Sequence, residues 1–173
     1  MRAVVVYETA CGRTREVARA IADNLRTRGA AVQTVEAAVA PVAFGLPVDL
    51  LVVGAPGHPV PVPPVGRPAP AIGGTGPGVD VGPADRAGVR EWIEVVRLPP
   101  GQPTATFDIR QDRQVPGSAA RAAARRLRER GASIIGTQSF LLGPAGPLLD
   151  EDQGLARVWA AGLIVDAAVH RVG

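Results

Sequence analysis

Arg2-Ala-Val-Val-Val-Tyr7 runs directly into Glu8-Thr-Ala-Cys-Gly-Arg-Thr14, and the change of character between the two segments decides how the chain folds. The first is a β-branched apolar run and reads as a strand. The second is a short loop with threonines at both ends and Gly12 inside. Beyond it Val17, Ile21 and Leu25 recur every four residues with Ala18 and Ala22 beside them, so a helix starts at once. In a strand, tight loop and helix joined this way, backbone N–H groups converge on one point. The helix dipole adds partial positive charge there. A phosphorylated ligand is the expected occupant.

Further along, Gly29 stops the first helix and residues 31–36 read as a second strand. Leu50-Leu-Val-Val-Gly54 is a short continuous apolar run, as in a strand covered on both faces. Residues 104–107 and 132–140 are two further strands. Helical stretches are predicted over 84–96, 118–130 and 150–170. Strands alternating with helices imply parallel pairing and right-handed crossovers. The expected architecture is a single α/β domain over 1–173, three-layered and doubly wound around a five-stranded parallel sheet. An insertion over about 57–83 breaks the rhythm: Pro59-Val-Pro-Val-Pro-Pro64 and Gly73-Gly-Thr-Gly-Pro-Gly78 exclude helix and central strand there.

Composition narrows the function classes. The 173 residues are enough for one core, and 46% are hydrophobic but only 3% aromatic, so that core is built from Val, Leu, Ile and Ala. All 19 basic residues are arginine, yet the net charge is only +3, too little to imply a polyanion partner by itself. A single cysteine excludes an internal disulfide. No apolar run approaches the roughly 20 residues that span a bilayer. A cytoplasmic protein with neither membrane nor nucleic-acid partner is the expectation.

Three segments resemble the short-chain flavodoxins. Thr9-Ala-Cys-Gly-Arg-Thr14 matches the family's Ser/Thr-x-x-Gly-x-Thr phosphate loop. Val48-Asp-Leu-Leu-Val-Val-Gly-Ala-Pro56 matches its third strand, with the turn at Pro56, Gly57 and His58 facing the flavin. Phe107-Asp-Ile-Arg110 falls where the loop after the fourth strand meets the isoalloxazine ring. The resemblance implies strand order 2-1-3-4-5, FMN as cofactor, and electron transfer or reduction of a small acceptor such as a quinone. It makes Thr9, Ala10, Cys11, Gly12, Arg13, Thr14, Pro56, Gly57, His58, Phe107, Asp108, Ile109 and Arg110 the candidate cofactor-binding residues, with no separate catalytic residue and no metal. The redox partner and the oligomeric state are not implied. The phosphate end has independent chemical support, because hydroxyls and N–H groups are the donors a phosphate needs and Gly12 lets the backbone come close.

The departures are as informative. Arg13 stands where the family usually carries asparagine, and Gly57-His58 replaces its usual hydroxyl residue. Neither ring loop contains tyrosine or tryptophan, while Trp92 and Trp159 lie in predicted helices. A flavodoxin fold that has lost FMN and works as a binding or regulatory module is therefore the alternative. Cys11 at a helix N-terminus raises a cysteine phosphatase, but Cys-x5-Arg fails, since the sixth residue on is Val17. His58 has no partner at ligand spacing for a metal. Arg121, Arg125 and Arg128 put a basic face on the 118–130 helix, which reads as solvated because no aromatics interleave.

Overall fold

The computed structural model describes residues 1–9, 12–56, 88–110, 117–141 and 150–170; the insertion at 57–83, with Gly57 and His58, lies outside them, as do Ala10 and Cys11. In chain order the elements are β1 (Arg2–Tyr7), α1 (Arg13–Thr27), β2 (Ala31–Glu36), β3 (Leu50–Pro56), α2 (Val89–Val95), β4 (Gln102–Arg110), α3 (Ala119–Glu129), β5 (Ala132–Leu141) and α4 (Asp150–His170). A single 3₁₀ turn follows β2 at Ala37–Val39. All strand pairs are parallel and the sheet order is β2-β1-β3-β4-β5, as expected. β1 lies between β2 and β3, so the chain reverses its direction of winding after β2. That reversal creates the crevice at the carboxyl ends of the strands where ligands of open α/β sheets bind.

Alternation along the strands sorts the core into two layers. Ala3, Val5, Tyr7, Val52, Ala105, Phe107 and Ile109 pack toward α1 and α4, meeting Val17, Ile21 and Leu25 of α1 and Ala160, Leu163 and Ala167 of α4. Val4, Val6, Leu51 and Val53 pack on the other side against Val89, Trp92 and Ile93 of α2 and Leu127 of α3. Both tryptophans are thus packing residues: Trp92 is 2% exposed, and Trp159 joins Phe107 and Phe140 in a cluster of edge-on rings.

Three element boundaries differ from the sequence reading. The helix expected over 84–96 is observed as the seven residues of α2, 84–87 being outside the described residues. Gly88 stands at its N-cap, where Glu91 accepts the Gly88 N–H at 2.9 Å. The helix ends as Val96 turns extended (ψ 138°) ahead of Pro99 and Pro100. β3 runs on through Pro56, and the strand expected at 104–107 extends to Gln102–Arg110. Both lengthen because each has a partner on both sides, so every added residue gains ladder hydrogen bonds.

Candidate functional site

The site grows from the end of β1. Gly12 occupies the N-cap of α1 in the left-handed region (φ 83°), a conformation that costs any residue with a Cβ about 1–2 kcal/mol. The turn is held from within: the Gly12 N–H donates to Thr9 Oγ1 at 2.8 Å, and the Gly12 carbonyl accepts the Glu16 N–H at 3.1 Å, opening the helix. Among the described residues, a Cβ at Gly12 would meet nothing within 4 Å. Thr14 is the second residue of the helix and is 3% exposed. Gly12 has no side chain with which to cap α1, and the N–H groups of Arg13, Thr14 and Arg15 precede the first intrahelical bond, the one from Glu16. Backbone N–H groups at such a turn are the kind of donor an anion requires.

Charge around this turn is already organised. Arg15 Nη2 donates to Glu36 Oε1 at 2.6 Å, tying the first turn of α1 to the end of β2. The hydrogen bond that Arg15 donates to Glu36 holds the guanidinium above its ordinary pKa range. Arg13 and Arg110 are each engaged by neighbouring groups rather than free.

The region assigned to the loop after the fourth strand is corrected by the structure. Phe107, Asp108, Ile109 and Arg110 are strand, paired with β3 as far as Pro56↔Ile109 and with β5 as far as Arg110↔Leu141. The Phe107 ring is fully buried, 6.1 Å from Phe140 and 6.4 Å from Trp159 between centroids. Ile109 packs in the same layer. Asp108, on the opposite face, is also fully buried. Its Oδ2 accepts the Ser118 hydroxyl at 2.7 Å and the Ala120 N–H at 3.0 Å, so this carboxylate anchors the start of α3 from beneath. Residues 111–116, beyond the strand, are not among the described ones, and of Pro56 only the backbone pairing is described.

Two residues that sequence reasoning passed over shape the crevice. Glu8 extends the sheet by one bond, its N–H reaching the Gly54 carbonyl at 3.0 Å. Its Oε2 accepts the Val89 N–H at 2.9 Å, capping α2 across the crevice from the anion loop. A Cβ on Gly88 would sit 2.5 Å from that oxygen, so glycine is needed for the contact. The signal was an acidic residue next to an anion loop, which makes sense only if another helix N-terminus takes the charge. Gly54 is the second: its missing Cβ leaves room for the Phe107 ring. Among the described residues no group of three His, Cys, Asp or Glu side chains could hold a metal ion, and no helix is long and apolar enough to cross a membrane.

No protein-family model matches this sequence, and no curated protein matches it either. Solved structures do match. A short-chain flavodoxin associated with a non-canonical PDU bacterial microcompartment superposes with a TM-score of 0.68 at 19% identity, over 96% of this chain and 99% of that one. The chain has the flavodoxin fold. The flavodoxin of Streptococcus pneumoniae TIGR4 superposes at a TM-score of 0.66 and 16% identity, over 95% of this chain and 99% of its own. The flavodiiron protein of Giardia intestinalis matches 98% of this chain with 36% of itself, at a TM-score of 0.64 and 16% identity. The same flavodoxin fold thus forms a complete protein in the first two cases and part of a larger one in the third.

Proposed function

We propose that this chain binds FMN at the end of β1 and acts as a flavodoxin-like redox protein, transferring electrons or reducing a small acceptor such as a quinone. The observation that carries the reading is the left-handed Gly12 turn at the N-terminus of α1, beside the crevice where the sheet reverses. Thr9, Gly12 and Thr14 with the first-turn N–H groups would hold the phosphate. Bound flavin supplies the redox chemistry; the protein binds it, orients it and sets the charge around it. Glu8 contributes by placing its carboxylate on the α2 N-terminus, which draws negative charge away from the anion loop.

The ring end fits less well, and this favours the second reading, a flavodoxin fold without FMN that serves as a binding or regulatory module. The chain has six aromatic residues other than histidine. Tyr7, Phe44, Trp92, Phe107, Phe140 and Trp159 all belong to the two core layers or pack against them. A flavin here would be held without an aromatic wall, forgoing about 1–3 kcal/mol per stacked face on the scale of base–aromatic stacking.

Visible absorbance separates the two readings. The purified protein is measured before and after incubation with excess FMN and desalting. A retained flavin band, weakened in Thr14→Ala and Gly12→Val, supports the redox protein. A folded protein that stays colourless after reconstitution refutes it in favour of the module.

A further inference from the structure

The arginines of α3 divide into two sets that the sequence alone does not distinguish. Arg126 and Arg130 both engage Glu94 of α2, Arg130 Nη2 lying 3.1 Å from Glu94 Oε2. That flank of the helix faces α2. Arg121, Arg125 and Arg128 are exposed, and none of the three takes part in an ion pair among the described residues. At 3.6 residues per turn they fall within an arc of about 60°, roughly 160° around from Arg126 and Arg130. Ala120, Ala123, Ala124 and Leu127 bury the side between the two sets against the sheet. The free stripe therefore lies on the flank away from α2. Because α2 connects β3 to β4 and α3 connects β4 to β5, that flank overlooks the outer edge of β5.

Among the described residues β5 pairs with β4 alone. A register shift leaves Ile135 without a partner in β4, and from Gly136 to Leu141 the strand is regular. From Gly136 to Leu141 alternate residues turn their backbone N–H and C=O groups away from β4, beside three guanidinium groups that have no ion pair among the described residues and are spread over about 10.5 Å of helix. Open edges recruit further strands unless charge or cover prevents it. Here the charge selects. A second copy pairing edge to edge would bring two arginine stripes together, whereas a segment carrying carboxylates would neutralise the stripe as it added to the sheet.

We infer that the outer flank of α3 and the free edge of β5 form a docking face for an extended acidic segment of a partner protein. The segment pairs its backbone with Gly136–Leu141 and sets its carboxylates against Arg121, Arg125 and Arg128, for which the planar guanidinium offers bidentate geometry. Nucleic acid fits less well: it has phosphates for the arginines but no amide groups for the strand edge, and no aromatic side chain stands on this flank of α3 for bases to stack upon. The assignment does not depend on FMN, since it uses no residue of the β1 loop.

The test uses the full chain and a short, labelled poly-L-glutamate followed by fluorescence anisotropy at low and physiological salt. Arg121→Gln/Arg125→Gln/Arg128→Gln, all at exposed positions, is compared with Arg19→Gln/Arg28→Gln/Arg157→Gln, which removes the same charge elsewhere. The stripe variant is expected to lose about tenfold in affinity, the combined effect of three exposed ion pairs, while the control stays within about twofold. Amide hydrogen exchange over residues 137–141 should slow when poly-L-glutamate binds. Equal losses in the two variants, or unchanged exchange in β5, would overturn the docking face. Tighter binding of duplex DNA through the same arginines, or a dimer of the wild-type chain by light scattering, would overturn the acidic partner.

Discussion

Replacing Gly54 by alanine tests the packing that supports the crevice floor. The new methyl would lie 2.2 Å from Cζ, 2.6 Å from Cε1 and 2.9 Å from Cε2 of Phe107. Carbon atoms in contact need about 3.5–4.0 Å, so the ring or the strand must retreat by more than about 1 Å. The ring has nowhere to go: it is fully buried, with Phe140 and Trp159 edge-on at 6.1 and 6.4 Å. Overpacking a filled core costs about 1–3 kcal/mol, and an overlap this deep against three locked rings belongs at the upper end. At about 2–4 °C per kcal/mol for a chain of this size, Gly54→Ala should lower Tm by roughly 6–12 °C. Phe107→Leu removes the clashing end of the ring and should itself cost about 1–2 kcal/mol as a cavity. In that background Gly54→Ala should be nearly neutral, because the methyl then fills space and a Gly-to-Ala change restricts the unfolded chain. Urea denaturation of the four proteins, read by tryptophan fluorescence with m held constant, gives the coupling directly. Additivity within about 0.5 kcal/mol would refute the reasoning, since it would show that Gly54 and Phe107 do not compete for the same space.

Two further substitutions probe the buried carboxylate and the crevice. Asp108→Ala strands the Ser118 hydroxyl and the Ala120 N–H at the start of α3 and should cost about 2–3 kcal/mol in urea denaturation, with Asp108→Asn recovering part of it; equal stability of all three proteins would remove the anchoring role. Glu8→Ala frees the α2 N-terminus and should cost about 0.5–2 kcal/mol, with faster amide exchange at Val89; unchanged exchange there would refute the cap.

Much of this fold was legible from patterns that are local in sequence. β1, β2 and α4 match their predicted bounds, because β-branched runs and long helical stretches depend on residues a few places apart. Gly12 announced its turn for the same reason: only glycine adopts that φ without strain. Sequence alone therefore determined the alternation of elements and the glycine turn that opens the first helix. Strand length, side-chain partners and the division of the arginines were decided by tertiary structure. Residues 108–110 read as a loop because no local signal separates a strand end from a loop. They became strand because β3 and β5 extend alongside them, and ladder bonds depend on neighbours distant in the chain. Glu8 looked out of place beside an anion loop until folding brought the Val89 N–H to it from 81 residues away. Five arginines in α3 and at its C-cap look alike in sequence; Glu94, on another helix, engages two of them and leaves three on the flank overlooking the β5 edge.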